Sequence, residues 1–62
     1  MKMRQYKDVD SSLYLKVRAW DTTVTFDICK NNEYLAPSVE LNRRQIKCLI
    51  KFLLGVIQCQ KE

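Results

Sequence analysis

The chain has 62 residues, which is enough for one small domain and too few to bury a large hydrophobic core. Hydrophobic residues make up 47% of the sequence, a fraction that is normal for a folded protein and argues against disorder. Lysine and arginine (11) outnumber aspartate and glutamate (7), and the formal net charge of +4 favours an anionic partner. A solvated basic surface accounts for the same charge, so both interpretations stay open.

The first segment, residues 1–11, is polar and basic and predicts either a basic N-terminal arm or a weak first strand. It has no apolar stretch of the kind that a signal peptide requires. From Leu13 onward, apolar and polar residues alternate in two runs that predict β-strands. A two-residue turn at Asp21 and Thr22 places all the apolar residues of these runs on one face. The expected pairs are Ala19 with Val24, Val17 with Phe26, Leu15 with Ile28, Lys16 with Asp27 and Arg18 with Thr25.

A second turn is expected at Asn31 and Asn32, because asparagine tolerates the positive φ angles of a tight hairpin. This turn places Ile28 opposite Leu35 and Lys30 opposite Glu33. The third run, residues 34–41, contains Pro37, which cannot donate to a β-ladder. The run is therefore predicted to be an edge strand or to be interrupted at the proline.

The start of a helix is signalled by Asn42 as N-cap and Gln45 three residues later, which together form a capping box. The helix is predicted from Arg43 to about Gln60. The sequence thus predicts an α+β domain: a three-stranded antiparallel meander, four-stranded if residues 1–11 join it, with one long C-terminal helix packed on one face. We expect a single domain over 1–62, with strands in 12–41 and the helix in 42–60.

This helix is more apolar than one buried face requires. A stripe that would suffice to cover the sheet is followed by a second apolar group, and the apolar arc spans about 240°, against ~100° for an ordinary surface helix. A second subunit is the economical cover for the excess, and Gly55 would let another helix approach closely. The alternatives are that residues 1–11 cover Phe52 and that Gly55 marks a frayed end. The stripe is Ile46, Leu49, Ile50, Leu53 and Ile57, and the predicted homodimer interface is Cys48, Phe52, Gly55, Val56 and Cys59.

The three cysteines do not form a disulfide pattern. Cys48 and Cys59 lie eleven residues apart, ~16 Å along one helix, and cannot bridge each other. The spacing also lacks the Cys-x-x-Cys pairs of a zinc site. Reduced thiols predict a cytoplasmic protein. The apolar run around them is interrupted by Lys47 and Lys51 and is too short to span a bilayer, so no membrane association is expected.

Catalysis is not expected, because the chain has no histidine and its carboxylates are scattered. We predict a protein that is not an enzyme and that takes no cofactor, metal or small-molecule substrate.

The polar face of the predicted sheet carries aromatic residues between basic ones. Bases stack on such rings and phosphates bind such cations in many proteins that hold single-stranded nucleic acid. Aromatic residues favour strands in any case, and basic residues on a helix are often its solvated side. The candidate nucleic-acid-binding residues are Tyr14, Lys16, Arg18, Trp20 and Tyr34 on the sheet, with Arg44, Lys47 and Lys51 on the helix beside Arg43.

The strands followed by "SVELNRRQIKCLIKFL", with Val39, Leu41, Asn42, Gln45 and Leu49 at the start of the helix, resemble the positive-cofactor-four family of transcription coactivators. The resemblance covers residues 13–57. It implies a twisted antiparallel sheet with one C-terminal helix, dimerisation through the helices and single-stranded DNA binding on the sheets. The chain departs from the family in having three clear strands instead of four. It also has "NNEYLAPS" in place of a loop rich in glycine and lysine.

Together these features predict a small dimeric module that binds single-stranded DNA or RNA, or a transcription-associated protein. The alternative is a small regulator or inhibitor of the phage or mobile-element type, which binds a host protein through its sheet edge or its helix.

Overall fold

A computed structural model describes residues 1–60 of the chain, which form an antiparallel sheet followed by one C-terminal helix. The predicted α+β class is confirmed, and the sheet has more strands than the three that the alternation alone makes clear. The elements are β1 (Lys2–Lys7), β2 (Tyr14–Ala19), β3 (Thr23–Lys30), β4 (Glu33–Tyr34), β5 (Val39–Asn42) and α1 (Arg43–Cys59).

The register of β2 against β3 is the one that the alternation predicts. Leu15 pairs with Ile28, and Lys16 pairs with Asp27. Side chains alternate along a strand, so this register separates an apolar face from a polar face. The apolar face carries Leu15, Val17, Ala19, Val24, Phe26 and Ile28, and the polar face carries Tyr14, Lys16, Arg18, Thr25, Asp27 and Cys29.

The turn after β3 has the predicted backbone geometry. Asn31 and Asn32 have φ angles of 52° and 65°, the left-handed region that asparagine tolerates better than most residues. Lys30 pairs with Glu33, and the Leu35 N–H donates to the Ile28 carbonyl at 2.9 Å. The chain therefore returns tightly along the free edge of β3.

The strand that follows this turn is broken into β4 and β5, which both pair with β3. Three steps along β3, from Cys29 to Phe26, correspond to five steps from Tyr34 to Val39, so two extra residues lie between the two pairings. The proline predicted to interrupt this strand, Pro37, lies in that insertion. Because an even insertion preserves the alternation of side chains, β5 keeps its apolar residues on the apolar face.

Part of the N-terminal segment is a strand, which selects one of the two alternatives for residues 1–11. β1 pairs with β2 along its whole length and remains exposed throughout. In the connection to β2, the Asp8 N–H donates to the Leu13 carbonyl at 2.9 Å. The Ser11 hydroxyl donates to Asp8 Oδ2 at 2.6 Å and lowers the pKa of that carboxyl from its ordinary value.

The helix begins with the predicted capping box. Asn42 Oδ1 accepts from the Gln45 N–H at 2.9 Å, and Gln45 Oε1 accepts from the Asn42 N–H at 3.0 Å. The helix ends at Cys59 and contacts the sheet through β5 and β3. Within residues 1–60, no helix has the length and apolar character needed to cross a bilayer.

Burial is concentrated on the polar face of the sheet. Within residues 1–60, only Thr25, Asp27 and Cys29 are buried, and all three belong to β3. The apolar stripe of the helix covers less of the sheet than its sequence predicts, because the helix contacts only β3 and β5. Ile46 and Leu49 are half-buried, whereas the remaining stripe residues, Ile50, Leu53 and Ile57, are exposed.

Asn42→Ala should lower the free energy of unfolding by ~1 kcal/mol, because the Gln45 N–H loses its acceptor at the helix start. Urea unfolding at one fixed protein concentration measures the change. Asn42→Asp serves as the control, since aspartate caps as well as asparagine and should leave stability nearly unchanged. Equal stability of Asn42→Ala and the parent protein would contradict the role assigned to this cap.

Candidate nucleic-acid interface

The candidate site lies on the polar face of β2 and β3. Lys16 and Arg18 project from β2, and Tyr34 reaches the same face from β4, because its partner Cys29 belongs to that face. Tyr14 also pairs with Cys29, from the opposite side, so the two tyrosines flank the same residue of the central strand. The register of the two hairpins thus places residues that are far apart in sequence on the same face of the sheet.

The indole of Trp20 is fixed at the end of β2. Its backbone N–H donates to the Thr23 carbonyl at 2.8 Å, which closes the turn to β3. Its Nε1–H donates to Thr25 Oγ1 at 2.9 Å, and Thr25 is buried on the polar face. The ring is therefore held over this face while it remains 47% exposed.

Cations and rings alternate in a row that we call the aromatic–cation row: Trp20, Arg18, Tyr34 and Lys16. The Arg18 guanidinium lies 5.8 Å from the ring centroids of both Trp20 and Tyr34. Lys16 Nζ lies 5.4 Å from the Tyr34 centroid and donates to Tyr34 Oη at 3.2 Å. Such cation–π contacts are favourable by ~0.5–1 kcal/mol each at exposed sites. The row is therefore an ordered group of side chains.

A buried carboxylate lies beneath this row. Arg18 Nη2 lies 3.0 Å from Asp27 Oδ2, and the Ser38 hydroxyl donates to Asp27 Oδ1. The contact with Arg18 has the distance of an ion pair but not the direction of a hydrogen bond, and within residues 1–60 Asp27 Oδ2 and Arg18 Nε have no hydrogen-bond partner. The guanidinium of Arg18 and the hydroxyl of Ser38 therefore compensate the buried carboxylate of Asp27.

The sequence places Lys16 directly opposite Asp27, and the structure has that pairing of positions. The ion pair, however, forms with Arg18, which lies diagonally across the two strands, within reach of a long side chain. The charge of Arg18 is consequently compensated within the protein. On this face Glu40 also accepts from the Thr23 hydroxyl at 2.6 Å. The positive potential over the row therefore comes from Lys16 more than the sequence indicates.

The predicted basic residues of the helix, Arg44, Lys47 and Lys51, are exposed. Within residues 1–60, no hydrogen bond, ion pair or cation–π contact joins them to the aromatic–cation row. The structure thus brings four of the eight candidate residues into direct contact, places Tyr14 on the same face, and leaves these three on a separate element.

The residues predicted for a dimer interface mostly line one shallow groove on the helix. Phe52, Gly55, Val56 and Cys59 border it together with Lys51 and Gln60. A Cβ built on Gly55 would meet nothing within 4 Å, so the helix backbone is open to close approach here. Cys48 is exposed one turn earlier and does not line the groove.

Sequence reasoning missed the two residues that position the row, Asp27 and Ser38. The signal for Asp27 was its place in the middle of a strand whose other residues, apart from Lys30 at its end, are uncharged, where a carboxylate requires a partner. Ser38 carried no signal, because its approach to Asp27 depends on the two-residue insertion between β4 and β5.

Comparison with family models, curated proteins and solved structures finds no match for this chain. The resemblance to the positive-cofactor-four family accordingly stays a prediction.

Arg18→Ala should lower the free energy of unfolding by ~3 kcal/mol, because it leaves the buried Asp27 charge without its cation. This is the low end of the usual ~3–5 kcal/mol, since the Arg18 side chain is 25% exposed. Lys16→Ala, the matched control on the same strand, should cost less than ~1 kcal/mol. Chemical unfolding at fixed concentration compares the two.

Arg18→Met combined with Asp27→Leu should recover much of the lost stability, because it removes both charges instead of one. Equal costs for Arg18→Ala and Lys16→Ala would show that the buried pair does not hold this face together.

Proposed function

We propose that this protein is a small, non-enzymatic module that binds single-stranded DNA or RNA as a homodimer and takes part in a transcription-associated process. The observation that carries the proposal is the aromatic–cation row on an open sheet face. Two of its members, Trp20 and Tyr34, are about half exposed while their positions are fixed by contacts within the protein. We also propose a cytoplasmic location, where the thiols of the chain stay reduced.

The exposed rings of Trp20 and Tyr34 can stack on successive bases, since every base has a π-face and stacking requires no particular sequence. Arg18 lies between the two rings and keeps them apart. Its compensated charge makes it a positioning residue, and Lys16, at the end of the row, is the better phosphate ligand. This division of roles predicts binding with little sequence preference.

The basic residues Arg44, Lys47 and Lys51 of the helix would act at longer range. They are exposed and contribute to the net charge of +4, which attracts a polyanion from any direction. A strand bound along the row can extend past the sheet toward these residues. They would then add salt-sensitive affinity without contacting the stacked bases.

Binding of a short oligothymidylate should quench the fluorescence of Trp20, the only tryptophan of the chain. Trp20→Ala should weaken binding by ~1–3 kcal/mol because one stacked base loses its ring. Lys16→Ala should reduce the slope of log affinity against log salt by about 1, since one phosphate contact is lost. The affinities of Trp20→Ala and Lys16→Ala are measured by titrating a labelled oligonucleotide with each protein at several salt concentrations and following its fluorescence anisotropy.

Lys30→Ala is the matched control for Lys16→Ala, because it removes the same charge from the opposite, apolar face of the sheet. It should leave the slope close to that of the parent protein. An absence of binding by the parent protein at ~50 mM salt would remove the nucleic-acid proposal, because electrostatic attraction is strong at that concentration.

Support for the homodimer comes from the groove on the helix. Phe52 is 66% exposed there, beside a glycine with open space in front of it. Leaving a side chain of this size in water forgoes ~1.5–3 kcal/mol of burial. A second copy would cover it without a further gene product.

Phe52→Glu should convert the dimer into a monomer or unfold it, because it places a charge in the groove. Light scattering of the reduced protein at micromolar concentration should give twice 7.4 kDa for the parent. Gln58→Glu adds the same charge on the polar side of the helix and should remain dimeric. A parent protein that scatters as a monomer would refute the dimer, and a dimer seen only without reductant would indicate an intermolecular disulfide.

A second candidate function is supported by the edge of the sheet. β1 is an edge strand whose six residues are all exposed, and it is joined to the sheet on one side only. Such an edge can accept a strand from another protein. A small regulator or inhibitor, of the type that phages and mobile elements encode, would bind a host protein there or at the helix. Co-purification of one protein after nuclease treatment, without oligonucleotide affinity, would favour this function.

A further inference from the structure

The exposed surface of a single chain is too large for a compact protein of its mass. Its accessible area is 5713 Å², whereas a folded monomer of 7.4 kDa exposes about 4,200 Å². The Cα radius of gyration is 13.1 Å, where a compact domain of 62 residues has about 10.6 Å. The excess of about 1,500 Å² per chain would amount to ~3,000 Å² for a pair, within the range of obligate homodimers.

Exposed large hydrophobic residues cluster in two places that a second copy could cover. The first is the apolar face of the sheet, where none of the described residues is buried and Ile28, Leu35 and Val39 are exposed. A shallow depression on this face is lined by Tyr6, Leu13, Leu15 and Ile28, beside Asp8 and Tyr14. A sheet normally covers such a face with a helix or a second sheet.

The second place is the C-terminal half of the helix. Ile50, Leu53, Leu54 and Ile57 are exposed, with Ile57 at 63%. Ile50, Leu53 and Ile57 lie within about 60° of one another around α1, whereas Lys51 lies about 100° from Ile50 and Leu54 lies beside Lys47. A copy that approaches through Ile50, Leu53 and Ile57 therefore meets the apolar side of α1, with the basic residues at its border.

The geometry points to a shared core in which the C-terminal half of α1 from each chain covers the apolar sheet face of a second copy. Each chain has an apolar sheet face that its own helix covers only in part and a C-terminal half of the helix that extends beyond the sheet contact, so one two-fold axis supplies both missing covers at once. A contact between helices alone would leave the sheet faces in water, and a contact between sheets alone would leave the helices exposed. This inference deepens the dimer of the proposed function by adding a contact surface on another side of α1 from the groove of Phe52 and Gly55. It rests on the proposed dimer in that respect, but not on nucleic-acid binding.

A shared core makes folding depend on association. The melting temperature of the reduced protein should rise with protein concentration, in a single transition, because each chain lacks a complete core. Ile57→Lys should raise the dissociation constant by at least ~100-fold, since two apolar side chains per dimer become charged. Sedimentation equilibrium and circular dichroism over a dilution series measure mass and folding together. A folded monomer would tolerate this change, because Ile57 is already exposed in one chain.

Val9→Lys is the matched control, since Val9 is 92% exposed in the connection between β1 and β2 and lines neither the depression on the sheet nor the helix stripe. It should keep the mass and melting behaviour of the parent protein. A melting temperature independent of concentration, or an Ile57→Lys variant with the dissociation constant of the parent, would overturn the shared core.

A crosslinking experiment tests the arrangement even if Ile57→Lys fails to fold. In a background in which serine replaces the exposed Cys48 and Cys59, one preparation carries Ile28→Cys and another carries Leu53→Cys. The two are mixed, refolded and treated with copper phenanthroline. A disulfide between the two different chains is the expected product. Crosslinks formed only between two copies of Leu53→Cys would replace the proposed arrangement with a contact between helices.

The outcomes separate this inference from the proposed function. A folded monomer that binds oligothymidylate would overturn the shared core and leave nucleic-acid binding in place. A dimer with the expected crosslink and no affinity for oligonucleotides would do the opposite. Co-purification of a different protein in place of a second copy, with a monomeric mass for the isolated chain, would assign the apolar surfaces to another partner and also overturn the inference.

Discussion

The buried carboxylate of Asp27 is the constraint on which the polar face of the sheet depends. It lies in the central strand and holds Arg18 from β2 and Ser38 from the segment between β4 and β5. A charge without a partner at this position would be strongly destabilising, so the strands on both sides of β3 must be in register for the domain to be stable. The same contact places the Arg18 guanidinium between the rings of Trp20 and Tyr34.

The distribution of burial is the reverse of that in an ordinary small domain. The polar face contains the buried residues of β3, and the apolar face and the helix stripe remain in contact with water. Long side chains explain the first part, because lysine, arginine and the aromatic residues of neighbouring strands extend over β3 and exclude water from it. The exposure of the apolar face and of the helix stripe has no explanation within one chain, and it motivates the proposed dimer.

Local features of the fold could be predicted from the sequence because each rests on a few neighbouring residues. The β2–β3 register follows from the alternation, the second hairpin from Asn31 and Asn32, and the helix start from Asn42 and Gln45. The position of the helix relative to the sheet could not be predicted in this way. The length of the apolar stripe indicates that the helix must be covered, but it does not indicate whether the cover is the same chain or a second one.

The candidate site was predictable to a similar degree. The alternation of side chains along an extended strand is sufficient to place Lys16, Arg18 and Trp20 on one face. The partner of Asp27 was not predictable, since a residue directly opposite and a residue on the diagonal are both within reach of a long side chain. The outcome depends on side-chain packing around Tyr34 and Ser38. Those residues follow the hairpin, and their positions depend on the insertion beside Pro37.

That insertion also determines the direction in which the helix leaves the sheet. β5 ends at Asn42 and α1 starts at Arg43, so no loop separates the last strand from the helix. Loss or gain of one residue in 35–38 would turn Val39 and Leu41 to the opposite face of the sheet and reverse the side from which the helix departs. A change of two residues would preserve both. Natural variation in the length of this segment is therefore expected to occur in pairs of residues.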